Sequence, residues 1–233
     1  MLLKKIILII SVILLTYVSA LWAGDSASFV DLGFSQDGRT YMFGQYGVQS
    51  PALKPWAEIY VVDVQSNNFV RNGKVSYTQD NPIRAGQDGS GVFYRLITGN
   101  SNLANQYGIN FQNQGLPLYI SRAENLPEYG ETIDFRDFTS GKIYKAQLIP
   151  SIVGGGQNIR SSFYIKLESC SQNGQVRNYT IGSQSIIRER IASYNIKKVL
   201  IDARGESVIF VIETKRVAGD GYDIRYMVEA LRL

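Results

Sequence analysis

FVDLGFSQDGRTYMFGQYGVQSPALKPWAEIYVVDV, residues 29–64, is the stretch whose reading decides the fold. Val30, Leu32 and Phe34 share one face of an expected strand, and Ser35-Gln36-Asp37-Gly38 reverses it. A type I turn favours Ser or Asp at its first position, where a short oxygen caps the turn. It favours Gly at its fourth, where a left-handed backbone costs little. A second version, VLIDARGESVIFVIETKRVAGDGYDIRYMVEAL, occupies 199–231, and one offset of 167 residues carries Asp37 onto Arg204 and Phe43 onto Phe210. Asp202 and Gly205 fill the two turn positions there. The returning strands, Arg39–Phe43 and Glu206–Ile212, are short apolar runs suited to burial on both faces. Third strands are expected at Glu58–Val64 and Tyr222–Leu231.

These two segments resemble the TolB-type β-propeller repeat, in which F-S-P-D-G-K-x-Φ-Φ-F, Φ being apolar, precedes a D-I-Y-V-Φ-D strand. Phe34, Ser35, Asp37, Gly38 and Phe43 match the first part, with Gln36 in place of the proline; Glu58 to Asp63 match the second. The later copy keeps Gly205, Phe210 and YDIRYMV but has Arg204 at the aspartate position. Taken whole, the chain also resembles a bacterial family of predicted secreted proteins of unknown function. That resemblance rests on the leader, the FVDLGFSQDGRTYMFGQYG opening, the RSSFYIKLE strand and the closing IDARGESVIFVIE. It implies export and a β fold and brings no catalytic residue with it.

The leader begins with Lys4 and Lys5, continues with an apolar run from Ile6 to Val18 and ends in small residues around Ser19, Ala20 and Ala23. This is the three-part form of a secretory signal peptide, and the run is shorter than the roughly 20 apolar residues of a membrane span. Residues 1–23 are therefore assigned to the signal and 24–233 to a single β-rich domain, with no membrane span after cleavage. The expected location is periplasmic or extracellular. The whole chain carries +4, and without the two leader lysines +2. Nucleic-acid binding calls for clustered basic residues. The densest group here, Arg188, Arg190, Lys197 and Lys198, is interrupted by Glu189 and apolar residues, and reads as a solvated sheet edge.

Histidine is absent, which removes imidazole-dependent nucleophile activation and the usual histidine metal sites. The single cysteine, Cys170, rules out an intramolecular disulfide; its parity with Tyr164, Lys166 and Glu168 would allow a thiol on the wetter strand face open to intermolecular pairing, and a solitary, partly buried thiol with no role is the preferred reading. No cofactor or metal is expected.

Between the repeats, Val92, Phe93, Leu96, Ile97, Leu103, Ala104 and Tyr107 are spaced for a short helical excursion over 90–107, split at Gly99-Asn100. A strand is expected at Leu116–Ser121, a hairpin from Glu131–Phe138 and Lys142–Pro150, and a half-buried strand at Arg160–Ser169 turning at Asn173-Gly174. Gly154-Gly155-Gly156 reads as a hairpin tip. The expected architecture is mainly β, with antiparallel propeller-like units at both ends; a closed small propeller or a β-sandwich are the alternatives. The offset of 167 residues would accommodate four blades of about 42 residues, yet no turn motif recurs near 79, 121 or 163. The two copies are expected side by side, with Phe34 and Phe210 in one core.

Candidate chemistry falls into four groups. Glu124, Glu128, Glu131, Asp134 and Asp137 offer carboxylates that a glycosidase would need in facing pairs. Asp220, Asp223 and Glu213 surround a glycine turn, as calcium ligands can, without the regular spacing of a calcium loop. Fifteen tyrosines supply flat amphipathic area, among them Tyr46, Tyr77, Tyr107, Tyr129 and Tyr179. Trp56 follows Lys54-Pro55 in a loop expected over 46–56. Tyr46, Trp56 and Tyr129 are the residues selected as a ligand or partner surface. The expected function is a non-enzymatic, exported binding or scaffold module of the cell envelope that presents a β-sheet surface to an envelope protein or polymer. The alternative is a carboxylate-dependent hydrolase acting on envelope glycans.

Overall fold

The structure is a computed structural model and describes residues 24–122 and 130–233. The assigned signal segment and Tyr129 lie outside the described residues. Twelve strands form three four-stranded antiparallel sheets. The first contains β1 (Ser28–Phe34), β2 (Thr40–Gln49), β3 (Lys54–Asp63) and β4 (Asn68–Thr78) in chain order. Two helices follow, α1 (Ser90–Gly99) and α2 (Ser101–Gln106), split where the sequence places Gly99-Asn100. After β5 (Leu116–Ile120) come β6 (Glu131–Arg136), β7 (Ile143–Val153), β8 (Arg160–Cys170) and β9 (Val176–Glu189), which form the third sheet. The last strands, β10 (Ile191–Ile201), β11 (Ser207–Ala218) and β12 (Gly221–Arg232), join β5 in a central sheet ordered β12-β11-β10-β5.

The layering follows from strand parity, since alternate side chains point to opposite faces. Val208, Phe210 and Ile212 of β11 pack with Phe163, Ile165 and Leu167 of the third sheet. Their neighbours Ile209 and Val211 pack with Phe34, Tyr41 and Phe43 of the first. The central sheet is thus buried on both faces, which explains the unbroken apolar run at 208–212. The far face of the first sheet is covered by α1, whose Phe93 ring lies where a side chain at Gly44 would stand. The order is helices, first sheet, central sheet, third sheet, a sandwich-like stack without a closed barrel.

Both repeated turns form as read. Gly38 N–H donates to Ser35 O at 3.0 Å and Gly205 N–H to Asp202 O at 2.9 Å, with φ of +68° and +71° at the two glycines. They meet through the Ser207 hydroxyl, which donates to Gly38 O at 2.7 Å. The side-by-side arrangement is corrected: the copies stack face to face, and Phe34 and Phe210 belong to separate cores. Phe210 points away from the first sheet because β11 is covered on both sides. The basic group is also reread. Lys197 and Lys198 are on β10, which lies between β11 and β5 and is no sheet edge, whereas Arg188 is on β9, an edge strand of the third sheet. Lys197 pairs with Glu213 at 3.4 Å and Arg188 with Glu229 at 3.3 Å.

Candidate functional site

Trp56 belongs to β3, not to a loop, because β2 runs on to Gln49 and the connection is only residues 50–53. In the β2–β3 register Tyr46 opposes Ala57 and Gly47 opposes Trp56, so the two aromatic residues occupy opposite faces of the first sheet. Tyr46 is half-buried against Phe93 on the helix side, with ring centroids 5.3 Å apart. Trp56 is 4% exposed and turned toward the central sheet. The structure does not bring them together, and the Trp56 ring is used inside the fold.

What it does there is electrostatic. The indole Nε1–H donates to Asp25 Oδ2, and Arg225 Nη2 donates to the same oxygen at 2.8 Å. The guanidinium lies over the indole, 4.2 Å from the ring centroid. Asp223 Oδ1 accepts the Asp25 N–H at 3.0 Å. Burial pushes the Asp25 carboxyl up, and the Arg225 charge and Trp56 hydrogen bond oppose that rise. This cluster borders a hollow of about 340 Å³ lined by Asp25, Gln49, Ser50, Asp223 and Arg225 among others. Asp25 and Arg225 are 200 residues apart, and no local pattern marks either as a partner of Trp56.

The acidic candidates separate. Glu124 and Glu128 lie outside the described residues. Glu131 points inward and accepts the Ile196 N–H at 2.8 Å, whereas Asp134 alternates to the exposed face. Asp137 accepts hydrogen bonds from Thr139 and Ser140 in its own turn. Glu213 is taken by Lys197 and the Tyr226 hydroxyl, and Asp223 by the Asp25 backbone and Arg225. Among the described residues no three acidic or cysteine side chains gather where a metal ion could be held.

The third sheet presents the open surface. Its inner face fills the core with Ile133, Ala146, Leu148, Phe163, Ile165 and Leu167. Its outer face is exposed and polar. Cross-strand register sets Asp134, Lys145, Glu168 and Asn178 in one row, and Thr132, Gln147, Lys166 and Thr180 in the next. Lys145 thus stands between two acidic residues, and opposite charges facing each other across strands attract. A hollow of about 460 Å³ lies among Lys145, Gln147, Lys166, Glu168, Asn178 and Thr180. A third row, Arg136, Ile143, Cys170 and Val176, adds apolar area, with Ile143 53% and Val176 50% exposed. Cys170 lies in this row and is half-buried. No sequence signal singled out this face, because its residues are ordinary polar ones and only register collects them.

The described residues define a layered antiparallel β protein with one uncovered sheet face. No helix among them is long and apolar enough to cross a membrane. The chain belongs to the family described as "Predicted secreted protein (DUF2259)", whose model matches residues 42–232. That description agrees with export. No curated protein matches the chain.

Proposed function

We propose that the protein is an exported, non-enzymatic binding or scaffold module of the cell envelope, whose working surface is the outer face of the third sheet. Its partner is an envelope protein or polymer, engaged across the Lys145–Glu168 and Gln147–Lys166 rows. The observation that carries this reading is the uncovered β6–β9 face, whereas the middle strands of the other two sheets are packed on both faces. Protein surfaces that mix charges of both signs with modest apolar area suit reversible recognition. The periplasm, or the medium beyond the cell, is the proposed site of action. The test is capture from envelope extract with mature protein, compared with a Lys145→Glu/Lys166→Glu variant. Both lysines are exposed, so folding is expected to be kept. A component retained by the first and lost by the second supports the reading, and an identical retained set with both overturns it.

A further inference from the structure

One end of the third sheet carries an apolar tip. Asp137 N–H donates to Lys142 O at 3.0 Å, and residues 138–141 between them turn β6 into β7. Phe138, first in that turn, is 89% exposed, more than any other large apolar side chain among the described residues. The last row of the outer face adds the exposed Ile143 and Val176 beside it, and the Arg136 guanidinium lies 5.9 Å from the Phe138 ring centroid. We propose that this tip docks the protein reversibly on an anionic lipid bilayer, with Phe138 entering the headgroup layer and Arg136, Lys142 and Arg177 facing lipid phosphates. It uses no residue of the two charged rows and goes beyond the function proposed for them.

The turn holds its shape without a partner. The Asp137 carboxylate accepts the Thr139 N–H at 2.9 Å, the Ser140 N–H at 3.3 Å and the Ser140 hydroxyl, and Gly141 N–H donates to Asp137 O at 2.8 Å. Gly141 supplies the left-handed backbone, with φ of +71°. Phe138 is thus presented on a fixed support, and little ordering entropy is lost when it docks.

Charge selects the surface. Arg136, Lys142 and Arg177 form no ion pair among the described residues. The nearby acids are spent elsewhere. Asp137 is buried and turned to its own loop, Asp134 and Glu168 flank Lys145 in the next row, and Glu206, which borders Lys142 and Arg177, is shared by Arg204 and Arg232. Long basic side chains around an exposed aromatic ring suit a bilayer interface, where the ring sinks among the headgroups and each cation adds attraction to anionic lipid. The ring also projects from a turn. A protein partner would need a pocket to fit it, whereas the headgroup layer yields to any shape.

The test is co-sedimentation of the mature protein with vesicles of equimolar phosphatidylglycerol and phosphatidylcholine, and with vesicles of phosphatidylcholine alone. Binding is expected to the first and to be far weaker with the second. Phe138→Ser should weaken it about tenfold, and Arg136→Gln/Lys142→Gln roughly thirtyfold. Arg84→Gln/Arg95→Gln removes the same charge from exposed positions before and on α1, and should change binding far less. A Phe138→Trp reporter should shift its emission to shorter wavelength on the anionic vesicles. No binding to them, equal losses in the two charge-removing pairs, or binding without an emission shift overturns the proposal. The vesicles hold no protein or glycan, so their binding and the capture lost with Lys145→Glu/Lys166→Glu are separate results. A captured protein that needs Phe138, with no vesicle binding, would assign the tip to a protein partner instead.

Discussion

Arg188 reaches from the third sheet to Glu229 of the central sheet at 3.3 Å. The Asn67 amide, from the β3–β4 turn of the first sheet, donates to the other oxygen of the same carboxylate. One buried carboxylate thus ties all three layers. Removing one partner of such a pair leaves a buried charge and typically costs about 3–5 kcal/mol. Arg188→Met is expected to destabilise by that order, and Glu229→Gln added to it should restore part of the loss. Urea unfolding of the single and double variants measures the coupling; simple additivity would show that the bridge contributes nothing.

Trp56 is expected to act through its N–H as well as its size. Trp56→Phe keeps most of the ring under Arg225 but withdraws the donor from Asp25, whose other oxygen, Oδ1, already has no partner. The cost should be about 1–3 kcal/mol. In Asp25→Asn the same substitution should cost less, because a neutral amide suffers less from losing a donor. Equal costs in both backgrounds would assign the effect to packing alone.

The two turn glycines should respond differently to alanine. Both are left-handed, which costs an L-residue roughly 1–2 kcal/mol, but a side chain at Gly205 meets open space while one at Gly38 meets the Asp202 carboxylate. Gly205→Ala should therefore carry the backbone cost only, and Gly38→Ala more. Thermal unfolding of the two variants gives the ranking directly.

Glu131 sets a pH dependence. Burial pushes its carboxyl above the ordinary 4.5, opposed only by the Ile196 N–H. The folded form then takes up the proton at higher pH than the unfolded form. Glu131 therefore adds stability as pH falls from neutral toward 4.5, and that contribution is lost again as pH rises through the folded pKa. Glu131→Gln should flatten this part of the stability profile. A profile unchanged by the substitution would place the titration elsewhere.

The turns were legible because their chemistry is local: Ser35 with Gly38, and Asp202 with Gly205, need only four residues to declare themselves. The helical pair was legible from the spacing of Val92, Phe93 and Leu96. β4 carries mostly exposed side chains as an edge strand, so its burial pattern gives no alternation to read. β10 hides behind Lys197 and Lys198, which look solvated until a bulge beside them and the Glu213 carboxylate are seen. The candidate sites were less legible than the fold. Sequence puts Tyr46 and Trp56 in one loop, but register separates them by a whole sheet. The Asp25–Arg225 pair depends on a contact across 200 residues of the chain.

The central sheet takes β5 from the middle of the chain and its other three strands from the last 43 residues. A chain made N-terminus first therefore has two half-finished outer layers, each with a bare apolar face, until β10 to β12 are added to fill the gap between them. A chain cut before Ile191 should bind a hydrophobic dye that the full-length protein ignores.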